Sequence, residues 1–307
     1  MNVQLVHFQK FVAALGTAFV LAIGPRAGSA SQPLLYISDS GNEAVRVYSY
    51  PAGTPVGTIG RLNLPSGLCA GGAGDIWVVE SGSSKILKFA HGGTKPIATL
   101  SASGAQDLYG CAVDPVTGDL AVTDLGGSAG PGSVWVFINA AGKPKNYHSL
   151  HLRTVYFCGY DAQGNLFFDG VNRSHAFQLV ELPKGSSSPR PIALSGSVGF
   201  PGGIEWDGTY MAIGDQAYKN QRKSAIYQVS VSGSTGTIQG TTVLAGCDVL
   251  QFAIARGGPR AKSLQSEQVL GPDACENSVG FYSYPAGGAP QKILIGFQYP
   301  VAAAISP

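Results

Sequence analysis

At 307 residues, with 44% hydrophobic and only 12% charged side chains, the chain excludes a disordered polypeptide and is long enough for one large all-β domain. The formal net charge is +2, and loss of residues 1–30 would remove Lys10 and Arg26 but no acid, leaving 20 − 2 = 18 cations against 18 acids. A neutral chain of this kind lacks the electrostatic footprint needed for nucleic acid or an anionic membrane.

The first segment opens on Lys10 and continues through the apolar run FVAALGTAFVLAI at 11–23 to Pro25 and the small residues Gly28-Ser29-Ala30. Such a run is shorter than the roughly 20 residues that span a bilayer. It predicts a secretory signal peptide over 1–30, cleaved after Ala30, with 31–307 as a single extracytoplasmic domain without a membrane span.

From residue 34 onward one unit recurs. The segments LYISD, IWVVE, LAVTD, LFFD, MAIGD and VLGPD end on Asp39, Glu80, Asp124, Asp169, Asp215 and Asp273, at spacings of 41, 44, 45, 46 and 58 residues. Self-similarity at about 45 residues is the mark of a repeat architecture. After the acid comes a segment with period-2 alternation, as in Val45-Arg46-Val47-Tyr48 or Val134-Trp135-Val136-Phe137. A Gly/Pro turn, a fourth segment and the first strand of the next unit follow, the last written PSGLCAGGAGD, YGCAVDPVTGD, YFCGYDAQGN or PGGIEWDG. Four antiparallel strands repeated radially predict an all-β, six-bladed β-propeller. The first unit lacks a first strand, and the chain finishes with a matching one at 299–306. The C-terminal strand is therefore expected to complete the N-terminal blade, against 35–39, and to hide two open edges.

The repeat PSGLCAGGAGDIWVVESGSSKILKF resembles an NHL repeat: Pro-x-Gly-apolar-Ala, a Gly turn, apolar-x-Val-x-Asp, then Val or Ile before an aromatic. The likeness to NHL-type and YncE-like propellers extends over the chain beyond residue 30, and is weakest at 255–268. It implies a fold shared by binding modules, lyases and calcium-dependent lactonases of the SMP-30 type, not one activity. Lactonases of that group hold their metal with Glu, Asn and Asp from different blades. Here Ser66 and Gly202 follow Pro65 and Pro201 where an Asn is expected, so the lactonase metal motif is not matched.

The repeat acids admit two readings. Each caps its own turn by accepting backbone N–H bonds, or together they form a ring of carboxylates able to hold cations such as calcium or polar ligands. Capping is the stronger, because a cap is needed once per blade and a site is not. Glu205 stands in a column otherwise held by Cys69, Ala112, Gly159 and Ala304, and is expected near the axial channel. Arg153 and His175 lie near loops where they can meet a ligand. His148 and His151 fall in a predicted strand on opposite faces, which makes them poor joint metal ligands. Gly126-Gly127-Ser128-Ala129-Gly130 matches G-x-S-x-G without the strand-to-helix elbow that motif needs, and Asn172-Arg173-Ser174 is a glycosylation sequon in a predicted loop.

Five cysteines remain after residue 30. Cys247 and Cys275 are expected to pair, whereas Cys69, Cys111 and Cys158 are expected to be reduced and buried as small hydrophobes.

Two functions stand open. One is a monomeric secreted or periplasmic binding or scaffold module, without a cofactor, for a protein, glycan or small molecule. The other is a metal-dependent hydrolase or lyase using Glu205 with some of Asp124, Asp169 and Asp215.

Overall fold

The computed structural model describes residues 32–256 and 267–307; the expected signal peptide lies outside the described residues. Blade 1 contains β1 (Leu34–Asp39), β2 (Ala44–Ser49) and β3 (Pro55–Ile59), and blade 2 contains β4 (Pro65–Ala70), β5 (Ile76–Glu80), β6 (Lys85–Phe89) and β7 (Pro96–Ser101). Blade 3 is β8 (Leu108–Val113), β9 (Leu120–Gly127), β10 (Gly130–Phe137) and β11 (Lys145–Tyr147). Blade 4 is β12 (Thr154–Tyr160), β13 (Leu166–Val171), β14 (Phe177–Leu182) and β15 (Arg190–Leu194). Blade 5 is β16 (Pro201–Trp206), β17 (Met211–Asp215), β18 (Ser224–Ser232) and β19 (Thr235–Leu244), and blade 6 is β20 (Ala253–Ala255), β21 (Gln268–Asp273), β22 (Ser278–Ser283) and β23 (Lys292–Leu294).

The closing strand β24 (Pro300–Ser306) pairs antiparallel with β1, placing Tyr36 opposite Ala304 and Asp39 opposite Pro300. The N-terminal blade is thus completed by the C-terminus, as the missing first strand required. The long β18–β19 hairpin adds a contact that the repeat did not announce. Its turn end pairs in parallel with β15, Ala193 opposite Thr235, and joins the outer edges of blades 4 and 5.

Blades bury both faces of their sheets against neighbours, which explains why second strands read as nearly continuous apolar runs instead of alternating ones. In β1, Leu35 and Ile37 pack with Leu270 and Phe281 of blade 6, while Tyr36 between them packs with Leu68, Ile76 and Val78 of blade 2. In β13, Phe167 and Phe168 likewise enter different inter-blade cores.

First strands carry a register slip between Pro65 and Leu68, Leu108 and Cys111, Val155 and Cys158, and Pro201 and Ile204. Such bulges bend the strand and re-aim its side chains. They also bring adjacent first strands into backbone contact: a Cβ on Gly67 would lie 2.4 Å from the Tyr109 carbonyl oxygen. Glycine is required there by space alone.

The cysteines depart from expectation in one respect. Cys247 is bonded to Cys275, with Cα atoms 6.3 Å apart, and Cys69 is bonded to Cys111, with Cα atoms 5.8 Å apart. Cys69 and Cys111 are one register step out of phase, and that step aims the Cys69 side chain towards Cys111 in the core between blades 2 and 3. Only Cys158 is free, and it is buried. His148 and His151 are corrected as well: β11 stops at Tyr147, so both lie in the loop before β12. The two disulfides point to an oxidising, extracytoplasmic environment, and no helix among the described residues is long and apolar enough to cross a membrane.

Candidate functional site

The strand registers define two faces. First strands begin where second strands end, as Pro65 opposite Glu80, Pro201 opposite Asp215 and Pro300 opposite Asp39 show. On this acid face the carboxylates hold backbone. Four accept the N–H two residues ahead of a first strand: Asp39 from Gln298 (2.7 Å), Glu80 from Asn63 (3.0 Å), Asp124 from Gln106 (3.2 Å) and Asp215 from Gly199 (3.0 Å); Asp273 takes that of Cys247 (2.9 Å), two residues ahead of Val249, which bridges Asp273 itself. Most reach a second segment too. Asp124 takes the N–H groups of Asp107 and Gly126, Asp215 those of Phe200 and Ala217, and Asp273 those of Cys275 and Glu276. Asp39 also takes Arg46 Nε at 2.9 Å. Each acid pins the chain leading into a first strand to the turn after a second strand.

Asp169 is not a member of this column. Val155 pairs with Gly170 and Cys158 with Phe168, so Gly170 occupies the column position and Asp169 sits one residue earlier, facing the bulge of β12. A shift of one residue along a strand reverses the side chain's direction. The counterpart of Asp169 is Thr123, whose hydroxyl accepts from Gly110 N–H and lies 2.7 Å from the Tyr156 carbonyl of the next blade. Asp169 Oδ1 accepts the equivalent N–H of Phe157 at 3.0 Å, while buried Oδ2 has no partner among the described residues. Burial raises its pKa well above the usual carboxylate value, opposed by the Phe157 N–H.

Glu205 lies at the other end of its strand. It pairs with Ala212 while Pro201 pairs with Asp215, four residues away, or about 13 Å along a strand. Its carboxylate accepts the Ile254 N–H of blade 6 at 2.7 Å, crossing the same kind of blade boundary that Cys69 crosses. Burial pushes its pKa up to about 7, with Ile254 and Arg256 acting against the shift and Asp207 adding to it. Glu205 is therefore an inter-blade tie and does not meet Asp124, Asp169 or Asp215 in one site. Arg153 sits on the acid face but spends its guanidinium on the Gly127 and Gly130 carbonyls at 3.2 Å each. His175 is exposed in the turn after β13 with φ +61°. Gly126 to Gly130 form the β9–β10 hairpin, with no helix following.

What the acids position is an aromatic cup at the channel mouth. The residues immediately ahead of first strands are Tyr299, Leu64, Asp107, Arg153 and Phe200, Asp248 precedes Val249, which bridges Asp273 ahead of β20, and the bulges of β8 and β12 add Tyr109 and Tyr156. Tyr109 and Tyr156 meet edge-on at 6.1 Å, and Tyr156 meets Phe200 at 5.2 Å. Burial raises the Tyr109 phenol well above its ordinary pKa, and Tyr299, Asp248, Tyr156 and Asp107 all add to that shift. Tyr299 is 49% exposed and Leu64 45% exposed at the rim. Asp107 and Asp248 are half-buried, and no hydrogen bond or ion pair is made by either carboxylate among the described residues. Their pKa values are raised first by burial and then by the capping acids behind them, Asp124 and Asp273.

The cup has a floor. Gln251, in the chain leading into β20, sends Nε2 to the Leu68 carbonyl at 2.7 Å and the Cys111 carbonyl at 3.2 Å. It thus runs from blade 6 across the axis to blades 2 and 3. A separate cleft of about 600 Å³ opens between blades 4 and 5, lined by Phe177, Ile192, Leu194 and Val198 without a charged side chain. We place the candidate site at the cup, because carboxylates and several aromatic rings from different blades meet there, whereas the cleft has no charged side chain.

The described fold is similar to a chain in the crystal structure of a nidogen/laminin complex, with a TM-score of 0.68 at 14% identity over 90% of this chain and 98% of that chain. The chain is a six-bladed β-propeller. It is also similar to a streptogramin B lyase structure, with a TM-score of 0.50 at 13% identity over 76% of this chain and 68% of that chain. No family model and no curated protein matches the sequence. The NHL-type likeness therefore rests on its motif residues, and at these identities the structural likenesses show the fold alone.

Proposed function

We propose that this propeller is a secreted or periplasmic binding module that takes a partner protein on its acid face, at the cup formed by Tyr109, Tyr156, Phe200 and Tyr299. The observation that carries the reading is convergence: loops pinned by five carboxylates hold aromatic and unpaired acidic side chains over a floor closed by Gln251. Aromatic residues with exposed rims are the usual anchors of protein interfaces. The nidogen/laminin structure, which pairs a similar fold with a protein assembly, supports a protein as the partner. The disulfides and the leader-like N-terminus support an extracytoplasmic setting.

The hydrolase or lyase reading draws on the lyase likeness but requires Glu205 to share a site with Asp124, Asp169 or Asp215. The register of β16 with β17 keeps Glu205 on the other face.

The test compares three immobilised forms against the source's extracytoplasmic fraction: wild type, Tyr156→Ser with Tyr299→Ser, and Val116→Ser with Ile138→Ser on the opposite face. A partner retained by wild type and by the opposite-face variant, and lost by the cup variant, is expected. Retention by the cup variant with loss by the opposite-face variant would refute the assignment.

A further inference from the structure

Resting on the binding reading, we propose that the cup recognises a basic side chain, the ammonium of a lysine or the guanidinium of an arginine, presented by the partner protein. The argument begins with what Asp107 and Asp248 lack. A carboxylate withdrawn from water without a counter-charge is unfavourable, and both of these are half-buried with no donor in reach among the described residues. The five capping acids differ, since Asp39, Glu80, Asp124, Asp215 and Asp273 each accept at least one backbone N–H group. Three cations of this face are engaged elsewhere: Arg153 is held by two carbonyls, Arg46 by Asp39 and Arg222 by Glu276.

The rings on this face match the same ligand. Asp107 directly precedes β8, two residues before Tyr109, and Asp248 precedes Val249, which bridges Asp273 at the start of the blade 6 inner strand; the Tyr109, Tyr156 and Phe200 rings stand in contact on the same face. Ring faces attract a cation through their quadrupole, most strongly where water is partly excluded. Carboxylates flanking aromatic faces select positive charge and repel phosphate, sulfate or an anionic membrane. Beneath the cup the Gln251 side chain bridges to the Leu68 and Cys111 carbonyls. Tyr299 and Leu64 at the rim then meet the partner's surface around that side chain.

The experiment titrates the mature protein calorimetrically with N-acetylated, amidated trilysine and triarginine, at 50 and 300 mM sodium chloride. Binding of at least one peptide is expected, weakening several-fold at the higher salt. Asp107→Asn and Asp248→Asn should each weaken it at least tenfold without lowering the melting temperature, since neither carboxylate has a partner to lose. Trilysine acetylated on its side chains should not bind. The inference is overturned if neither peptide binds wild type, if the acetylated peptide binds as well, if either Asn variant binds like wild type, or if a neutral chitotriose binds in their place. Tighter binding of n-butylammonium than of the peptides would overturn the protein source in favour of a free amine. Failure of the binding reading itself shows separately, as partner capture that survives Tyr156→Ser with Tyr299→Ser.

Discussion

A carboxylate that accepts several buried N–H groups cannot be removed cheaply, because each donor loses its partner in a place water does not easily reach. Asp124 takes N–H bonds from Gln106, Asp107 and Gly126, so Asp124→Ala should cost about 2 kcal/mol in urea denaturation. Asp169 works in the opposite sense. Its folded pKa is raised above 3.8, so between that value and the folded pKa the unfolded chain binds fewer protons than the native one. The stability it contributes is fully present below about pH 4 and is lost as pH rises through the folded pKa. Asp169→Asn keeps an acceptor for the Phe157 N–H and supplies a donor where Oδ2 has no partner. The variant should therefore be more stable than wild type at pH 8, with the difference shrinking towards pH 4; a difference independent of pH would contradict the assignment. From the sequence, Asp169 looked like the fourth repeat acid because LFFD matches LAVTD in composition. LFFD is one residue shorter than LAVTD or IWVVE, and that missing residue puts Gly170 in the column position and Asp169 one step before it.

At the scale of the strand, the second strands were legible because burial on both faces writes an uninterrupted apolar run that ends in a polar turn. The first strands were less so. Their bulges lie within PSGL, LYGC and TVYFC, where Gly and aromatic residues read as ordinary strand. The Cys69–Cys111 bond follows from phase. Cys69 pairs with Trp77, three residues before its acid, and Cys111 with Val122, two before its own, so the side chains leave neighbouring strands in opposite directions and face each other. A cross-link over 42 residues stabilises by roughly 4 kcal/mol on a chain-entropy argument. Cys69→Ser with Cys111→Ser should lower stability on that scale, and non-reducing peptide mapping should recover Cys158 as the sole free thiol. Alkylation of Cys69 or Cys111 in the native oxidised protein would contradict the pairing. The cup residues were missed for a related reason: Tyr299, Asp107, Phe200 and Asp248 sit just outside the strands, in linkers that share no residue type. Their common feature is a position one residue along from a loop N–H held by the second-strand acid of the same blade, and that pairing is set by three-dimensional register.

For the whole molecule, closure of the ring by β24 makes the six-fold arrangement self-contained, with no open inner edge for another chain to extend. That much was readable from a strand missing at one end and a spare at the other. Function was less readable, since a fold of this kind hosts many activities and the side chains that matter belong to loops of different length. The two faces now have different characters. One carries acid-pinned loops around an aromatic mouth, and the other carries short turns such as 114–119 and 161–165 between first and second strands. The central claim is that recognition belongs to the first of these. Hydrogen exchange of the purified protein, alone and bound to its captured partner, tests it most directly. Slowed exchange in 106–110, 153–157, 199–201, 248–250 and 298–301 is the predicted result, whereas protection confined to 71–75, 114–119, 161–165 and 207–210 on the opposite face would contradict it.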